Sequence, residues 1–382
     1  MWDRLPLDLL AHIFSFLPPL SLARAMAVCG HWHACVLSDP SGGRRGRAAS
    51  CPWFLAMHAR PVAAKPPCYV YSLELRRWHA LPLDFLPFPV RLVASVANAG
   101  LLLCRLAAGS RFRLLLCNPF TRQHKLLPDL IVPRSNPAVG VVPGDAPGGA
   151  ASFQIYAAGG ATGGGYEPTL EVYESRAGVW RRAGATPAGF AVRLTVWTPN
   201  ESVVAGGVVY WMTSARAYSV MGLEVATGAW REVKVPLADR LEWAALVGRR
   251  SGRLGLVGGC GQGEGWVWEL TEGEQSWVVV GVVPEEVEGR KWAGGAATRC
   301  VGGDREVYLY GGELGKGMVV GREVGDSSSS GHEEERWEWK WIEEYCCSAI
   351  PGREKAVAVG GGGGAPFKGV LFHPSLSPSC LR

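Results

Sequence analysis

The first forty residues carry apolar side chains at helical spacing. An amphipathic helix places its apolar residues at i, i+3, i+4 and i+7, and this pattern is met by Leu10, Ile13, Phe14 and Leu17. Pro18-Pro19 ends the helix, because the residue before a proline is disfavoured in the α region. Two further helical patterns cover 20–29 and 31–37. Three such short helices bury little surface alone, so the sequence predicts a helical module that needs a partner.

From residue 51 onward the pattern changes to short β-rich runs separated by polar or glycine-containing turns. Six copies of a repeat are visible, each with an aromatic or His residue that opens a strand. We predict that the tryptophans are structural anchors of the repeat, and the six positions are Trp78, His124, Trp180, Trp230, Trp277 and Trp337. They lie 46–60 residues apart. A period near 50 is typical of kelch-type propeller blades, so the sequence predicts six blades, with a seventh left open.

Glycine pairs and the chain termini refine this prediction. Gly-Gly occurs at 159–160, 206–207, 258–259 and 311–312, and we interpret these pairs as tight turns at the inner edge of a blade. The last strand of a ring commonly closes against the first blade. Two segments are candidates for that strand, GVLFHP (369–374) and AVAV (356–359).

The predicted fold is therefore multidomain, α followed by all-β. A three-helix module covers 1–40, a Gly/Ser/Arg linker covers 41–50, and a propeller covers 51–382. Within the propeller we expect a disordered acidic insertion at about 325–335 and a flexible glycine run at 360–364.

The helical module resembles an F-box. The residues that carry the resemblance are Leu5-Pro6, Asp8-Leu9-Leu10, Ile13, Leu17-Pro18, Leu20, Leu22, Val28-Cys29 and Trp32. They match the family's LP-x-D/E-LL helix and its later V-C-x-x-W helix. The resemblance implies that the module binds a Skp-type adaptor, and the implied adaptor-binding residues are Leu5, Pro6, Leu9, Leu10, Ile13, Leu17, Leu20, Val28, Cys29 and Trp32.

Two propeller segments are similar to plant F-box-associated and kelch repeats. They contain Asn118-Pro119-x-Thr121 and Thr227-Gly228-x-Trp230. The full glycine, Tyr and Trp order of a strict kelch repeat is degenerate in most of the predicted blades.

Composition excludes several classes of protein. The 382 residues are 48% hydrophobic and include 51 Gly and 16 Trp, which argues against a wholly disordered chain and for an all-β plan. Eleven Cys without a Cys-x-x-Cys pair indicate reduced thiols. No apolar run approaches the length of a membrane span, and no signal peptide is recognisable. We expect a protein of the cytoplasm, the nucleus or both.

The net charge of +5 is unevenly distributed. Positions 44–125 hold thirteen Lys or Arg against two acids, whereas positions 264–344 hold eighteen acids against eight bases. The bases alternate with Leu and Pro, so we expect no nucleic acid and no membrane as a partner. One hypothesis places the basic residues of the first two blades, among them Arg76, Arg77 and Arg91, beside the acidic residues of the last two blades on one rim, where they steer a target protein. The alternative is that these charges are spread over the outer edges and only keep the protein soluble.

Candidate catalytic and metal-binding groups are few. Cys29, His31, His33 and Cys35 alternate, but residues two apart on a helix point in nearly opposite directions and do not converge on one ion. The glycine-rich runs lack the spacing of phosphate-binding loops, and no G-x-S-x-G elbow is present. We expect no catalytic residue, no metal and no cofactor.

The resemblance implies a non-catalytic receptor subunit of a Skp–cullin–F-box ubiquitin ligase. Its helices are expected to bind the adaptor, and through it a cullin, while the propeller binds a target protein. Two alternatives stay open: a small-molecule sensor or enzyme built on the propeller, and an interaction adaptor outside any ligase.

Overall fold

A computed structural model describes most of the chain. The described residues are 5–14, 16–17, 19–38, 52–58, 68–73, 76–96, 99–107, 109, 111–144, 152–196, 202–214, 217–249, 252–261, 265–271, 276–292, 298–311, 317–324, 336–342, 367–375 and 381. The chain begins with three helices, α1 (Leu7–Phe14), α2 (Pro19–Met26) and α3 (Gly30–Ser38). These agree with the three helical patterns of the sequence to within a few residues.

The strands that follow form six four-stranded blades in the described part of the chain. Blades 1 and 2 contain β1 (Trp53–His58), β2 (Cys68–Ser72), β3 (Arg77–Leu81), β4 (Val90–Val96), β5 (Leu101–Leu106), β6 (Leu114–Asn118) and β7 (Gln123–Leu126). Blade 3 and its small hairpin contain β8 (Ala138–Gly144), β9 (Ser152–Ala158), β10 (Ala161–Thr162), β11 (Gly165–Tyr166), β12 (Thr169–Glu174) and β13 (Val179–Ala185).

A fourth helix, α4 (Ala188–Val196), joins blade 3 to blade 4. Blade 4 contains β14 (Ser202–Ala205), β15 (Val208–Ser214), β16 (Tyr218–Glu224) and β17 (Trp230–Lys234). Blade 5 and a second hairpin contain β18 (Trp243–Gly248), β19 (Leu254–Gly259), β20 (Gly265–Leu270), β21 (Trp277–Val283), β22 (Glu286–Val287) and β23 (Arg290–Lys291). The remaining strands are β24 (Arg299–Gly302), β25 (Glu306–Tyr310), β26 (Met318–Val324), β27 (Arg336–Ile342) and β28 (Phe367–Phe372).

The two ends of the propeller meet in blade 1. Strand β28 pairs with β1 along its whole length, from Trp53 opposite Phe372 to His58 opposite Phe367. The blade order is therefore β28-β1-β2-β3, and the innermost strands β28, β4, β8, β14, β18 and β24 contact one another in a ring. The candidate closing segment 369–374 overlaps β28, whereas the other candidate, 356–359, lies outside the described residues.

Six apolar cores lie between adjacent blades. Side chains alternate across a strand, so each blade has two inward faces and shares one core with each neighbour. The core between blades 1 and 2 includes Leu55 and Leu102, and the core between blades 6 and 1 includes Phe54 and Tyr308. Consecutive residues of β1 thus contribute to different cores. Because every blade completes its neighbour, the ring stabilises itself as one unit.

The anchor tryptophans join the outermost strands of neighbouring blades. Each lies at the first or second position of an outermost strand and donates its indole N–H to a backbone carbonyl on, or just after, the outermost strand of the preceding blade. The four hydrogen bonds are Trp180 to Pro128 (2.9 Å), Trp230 to Ala185 (3.1 Å), Trp277 to Lys234 (2.7 Å) and Trp337 to Val280 (3.0 Å). Trp78 and His124 hold the corresponding positions on β3 and β7.

The propeller has two faces that differ in their loops. We define the upper face as the one that carries the loops from second to third strands and the connections from one blade to the next. The lower face carries the remaining hairpin turns. Strand β1 is the second strand of blade 1 and begins at the lower face. The chain therefore enters the propeller from the helical module at the lower face.

The glycine pair 206–207 forms the turn between the innermost strand β14 and β15, as predicted, but two other pairs occupy a different place. The pair 159–160 follows the second strand of blade 3, and 258–259 ends the second strand of blade 5. The pairs 159–160 and 258–259 lie one strand away from the innermost edge, so the predicted inner-edge position is wrong for these two pairs. The predicted insertion at 325–335 and the glycine run at 360–364 lie outside the described residues.

Candidate protein-interaction surfaces

The helical module has a small interior. Leu10, Phe14, Ala25 and Cys35 are buried, and Trp32 packs its ring edge-to-face against Phe14 at 5.2 Å between centroids. These residues come from all three helices, so one apolar contact set holds the module together. Its limited size leaves other apolar side chains uncovered.

The uncovered side chains form a stripe along α1 and the turn after it. Leu9, Ile13 and Phe16 follow i, i+4, i+7 spacing and are 43%, 36% and 67% exposed. Val28, which follows α2, is 62% exposed. Large apolar side chains exposed together are typical of a protein-interaction site. Phe16 was absent from the residues predicted from sequence, although the spacing from Leu9 and Ile13 already placed it on this stripe.

The ten residues implied for adaptor binding separate into several groups. Pro6, Leu9, Ile13 and Val28 are exposed, whereas Leu5, Leu17, Cys29 and Trp32 are half-buried. Leu10 is 0% exposed, so its side chain fills the module's interior and is not available to a partner. The side chain of Leu20 lies outside the described set.

The alternating Cys and His residues of α3 do not converge. Cys35 is buried, while His31 and His33 are exposed. Across the described residues, no group of three or more His, Cys, Asp or Glu side chains is arranged to hold a metal ion. No helix in the described part of the chain is long and apolar enough to cross a membrane.

The upper face of the propeller carries apolar side chains in its loops. All of the large exposed apolar residues in the described segments between blade strands belong to this face, counting the hairpin β10–β11 and α4 among those segments, and they are Phe88, Ile131, Tyr166, Val192, Val196 and Leu237. The described turns of the lower face hold none of them. Among the described loops, exposed apolar side chains thus concentrate on the upper face, and loops on a rigid scaffold are where binding residues commonly lie.

Helix α4 is seated on this face through Gly159 and Gly160. A Cβ at Gly159 would lie 2.9 Å from the carbonyl oxygen of Ala191, and the Gly160 N–H donates to the Thr195 hydroxyl at 2.6 Å. Both glycines have positive φ, a conformation that is strained for other residues. This close approach buries Ala191 beneath the helix and leaves the opposite side of the helix exposed.

A buried ion pair fixes the adjacent connection between blades 2 and 3. The side chains of Arg134 and Glu171 form a hydrogen-bonded salt bridge, and both are 0% exposed. The Glu171 carboxylate also accepts the backbone N–H groups of Ile131 (2.7 Å) and Val132 (3.0 Å). Arg134 donates to the Thr169 carbonyl at 2.7 Å. One carboxylate therefore holds both the connection and its exposed Ile131 in place.

The basic residues of the steering hypothesis do not share a rim. Arg76 and Arg77 lie at the turn from β2 to β3, on the lower face. Arg91 is the second residue of β4 and lies at the upper face. The prediction of one rim for all three is wrong, because the chain crosses the blade between them.

Three cysteines lie in the core between blades 1 and 2. Cys68, Cys104 and Cys117 are all 0% exposed. Burial raises the pKa of the Cys68 thiol, and a hydrogen bond with Cys117 together with burial raises that of Cys104. Thiols with raised pKa values are poor nucleophiles at neutral pH, so these side chains act as apolar filling.

The N-terminal residues match a known family model. The model is described as F-box-like and covers residues 2–41. This range contains all three helices of the module and its exposed stripe.

Similarity to curated proteins extends into the propeller. The chain is 25% identical to F-box only protein 6 from Arabidopsis thaliana over 304 residues, covering 74% of this chain and 59% of that protein. It is 30% identical over 131 residues to an Arabidopsis F-box/kelch-repeat protein, covering 32% of this chain and 29% of the relative. It is 22% identical to the Arabidopsis protein UNUSUAL FLORAL ORGANS over 358 residues, covering 81% and 74%.

The chain spans less than two thirds of the length of the first two relatives. Its two parts are nevertheless clear from the helices, the six blades and the matched family model together. The chain consists of an F-box-like domain followed by a six-bladed β-propeller, and its relatives include proteins named as F-box and F-box/kelch-repeat proteins.

Proposed function

We propose that the protein is the substrate-recognition subunit of a Skp–cullin–F-box ubiquitin ligase. The helices bind a Skp-type adaptor, the adaptor binds a cullin, and the propeller binds the target protein. The subunit supplies position and no catalytic group. The observation that carries the proposal is the exposed stripe of Leu9, Ile13 and Phe16 on a domain whose interior holds few residues.

The arrangement of the two surfaces supports this division of labour. The chain enters the propeller at the lower face, whereas the exposed apolar loop residues lie on the upper face. A target bound to the upper face leaves the entry point of the F-box-like domain uncovered. Adaptor and target are then held by separate surfaces, as a bridging subunit requires.

We expect the double variant Ile13→Ala/Phe16→Ala to weaken adaptor binding at least 30-fold. A hot-spot residue near the centre of an interface costs about 2 kcal/mol or more when truncated, and one such loss corresponds to about 30-fold in affinity. Both side chains are exposed in the free protein, so the variant keeps the module's interior intact. The measurement is surface plasmon resonance of the full chain against an immobilised Skp-type adaptor.

A matched control uses two exposed apolar residues of the propeller. Val192→Ala/Val196→Ala truncates two exposed apolar side chains of α4 and should leave adaptor affinity within twofold of wild type. Equal adaptor affinity for both double variants and wild type would contradict the proposal. Adaptor binding without cullin in a reconstituted mixture would instead identify an interaction adaptor outside the ligase.

A further inference from the structure

Two arginines face each other across the upper end of blade 2. Arg91 on β4 and Arg105 on β5 are directly paired in the antiparallel register. Side chains so paired lie on the same face of the sheet with Cβ atoms about 4.5–5.5 Å apart, and like charges in this position are destabilising. We refer to Arg91 and Arg105 as the arginine pair.

Neither member has a carboxylate partner among the described residues. Arg105 donates to the amide oxygen of Asn136 at 2.8 Å, and its guanidinium lies 5.7 Å from the ring centre of Phe112. Arg91 is half-buried, and its Nε is buried without a hydrogen-bond acceptor. Burial, followed by the positive charge of Arg91, lowers the pKa of Arg105. The pair thus holds two cations together with no anion in the described structure.

Two acids in the connections into and out of blade 2 are engaged by other arginines. Asp129 accepts from Arg113 at 3.0 Å, and Asp84 accepts from Arg122 at 2.9 Å. Arg111, in the loop between β5 and β6, adds an exposed cation to the same end of the blade. The uncompensated positive charge therefore extends along the rim and is not gathered at one point.

Apolar side chains flank the charge. Phe88, just before β4, is 48% exposed, and Ile131, in the connection to blade 3, is 45% exposed. Carboxylates pair with arginine through charge-assisted, often bidentate hydrogen bonds. A row of cations beside apolar side chains fits an extended chain with several carboxylates better than it fits a single compact anion.

We infer that the arginine pair binds a carboxylate of an acidic polypeptide segment in the target, with Arg111 extending the site along the upper rim of blade 2. The inference rests on the proposed function, since it gives the chemistry of the target that the propeller takes. It explains why two like charges are kept in register: the bound carboxylate removes their repulsion.

The test uses a fluorescein-labelled hexaglutamate peptide and the full-length protein. We expect saturable binding by fluorescence anisotropy in 50 mM salt, weaker in 300 mM salt because rim charges are screened. Arg91→Gln/Arg105→Gln should weaken binding at least tenfold. Arg77→Gln/Arg176→Gln changes two exposed arginines at lower-face turns and should leave the affinity within twofold of wild type.

Thermal melting separates a binding role from a structural one. The melting temperature of Arg91→Gln/Arg105→Gln should equal or exceed that of wild type, because the variant removes repulsion, and hexaglutamate should raise the melting temperature of wild type only. A lower melting temperature with unchanged peptide affinity would assign the pair to the fold and overturn the inference.

Two further peptides test the chemistry of the ligand. Equal affinity for hexaglutamine would overturn the inference, and so would binding only of a glutamine peptide that carries one phosphoserine. Adaptor binding is measured on the same preparations. If the protein binds the adaptor but not hexaglutamate, this inference is wrong and the proposed function stands. If it binds hexaglutamate but not the adaptor, only the proposed adaptor role is wrong.

Discussion

Trp180→Ala is expected to lower the free energy of unfolding of the propeller by about 3–5 kcal/mol. Trp180 is 8% exposed and packs in the core shared by blades 2 and 3, with its ring 5.6 Å from that of Tyr173. The substitution leaves a cavity and also removes the hydrogen bond to Pro128. Loss of both contacts weakens the packing between blades 2 and 3. Urea-induced unfolding followed by circular dichroism measures the change in the free energy of unfolding.

Two variants on the same strand make this test specific. Val179 precedes Trp180 and is 53% exposed, so Val179→Ala should change stability by no more than about 0.5 kcal/mol. Trp180→Phe retains a ring and loses the indole N–H, which costs about 1 kcal/mol for the hydrogen bond. If Trp180→Ala unfolds at the same urea concentration as Val179→Ala, the tryptophan does not join the blades.

Glu171→Ala should be comparably damaging, at about 3–5 kcal/mol, because it leaves Arg134 as an uncompensated buried charge. The backbone N–H groups of Ile131 and Val132 lose their acceptor in the same variant. We also expect the connection between blades 2 and 3 to lose protection in amide hydrogen exchange. The measurements are chemical unfolding and exchange of the peptides that cover 127–137.

An exposed ion pair on the same strand provides the control. Glu174 pairs with Arg181 at 2.5 Å, and both side chains are at least one third exposed. Glu174→Ala should cost no more than about 1 kcal/mol, since solvent screens such pairs. Equal losses for Glu171→Ala and Glu174→Ala would show that the buried pair contributes no more than a surface one.

Periodicity was sufficient to predict the blades and the F-box-like helices. A repeat near 50 residues and the tryptophans that open the outermost strands can be read directly from the chain, because each blade meets the same packing requirement. The acceptors of the indole N–H groups could not be read in this way. They belong to the preceding blade, 43 to 57 residues earlier in sequence.

Burial within the F-box-like domain was harder to predict than its helices. Leu9 and Leu10 are adjacent and equally apolar, yet Leu9 is 43% exposed and Leu10 is 0% exposed. The side on which α3 packs against α1 determines which of the two leucines is buried. The apolar pattern of α1 alone does not show which side that is. Helix α4 was missed for a related reason: its residues include several of high β propensity, and its close packing against Gly159 is a contact with a distant strand end that the local pattern does not contain.

The closing contact between β1 and β28 has a consequence for synthesis on the ribosome. His58 pairs with Phe367, so blade 1 cannot be completed until almost all of the remaining chain has been synthesised. At about 5–20 residues per second, the wait is on the order of 15–60 s. The three N-terminal helices need none of those later residues, so they emerge complete while the ring is still open. Under the proposed function, a message truncated before β28 would therefore yield a chain that still carries the exposed stripe for the adaptor but lacks a finished propeller.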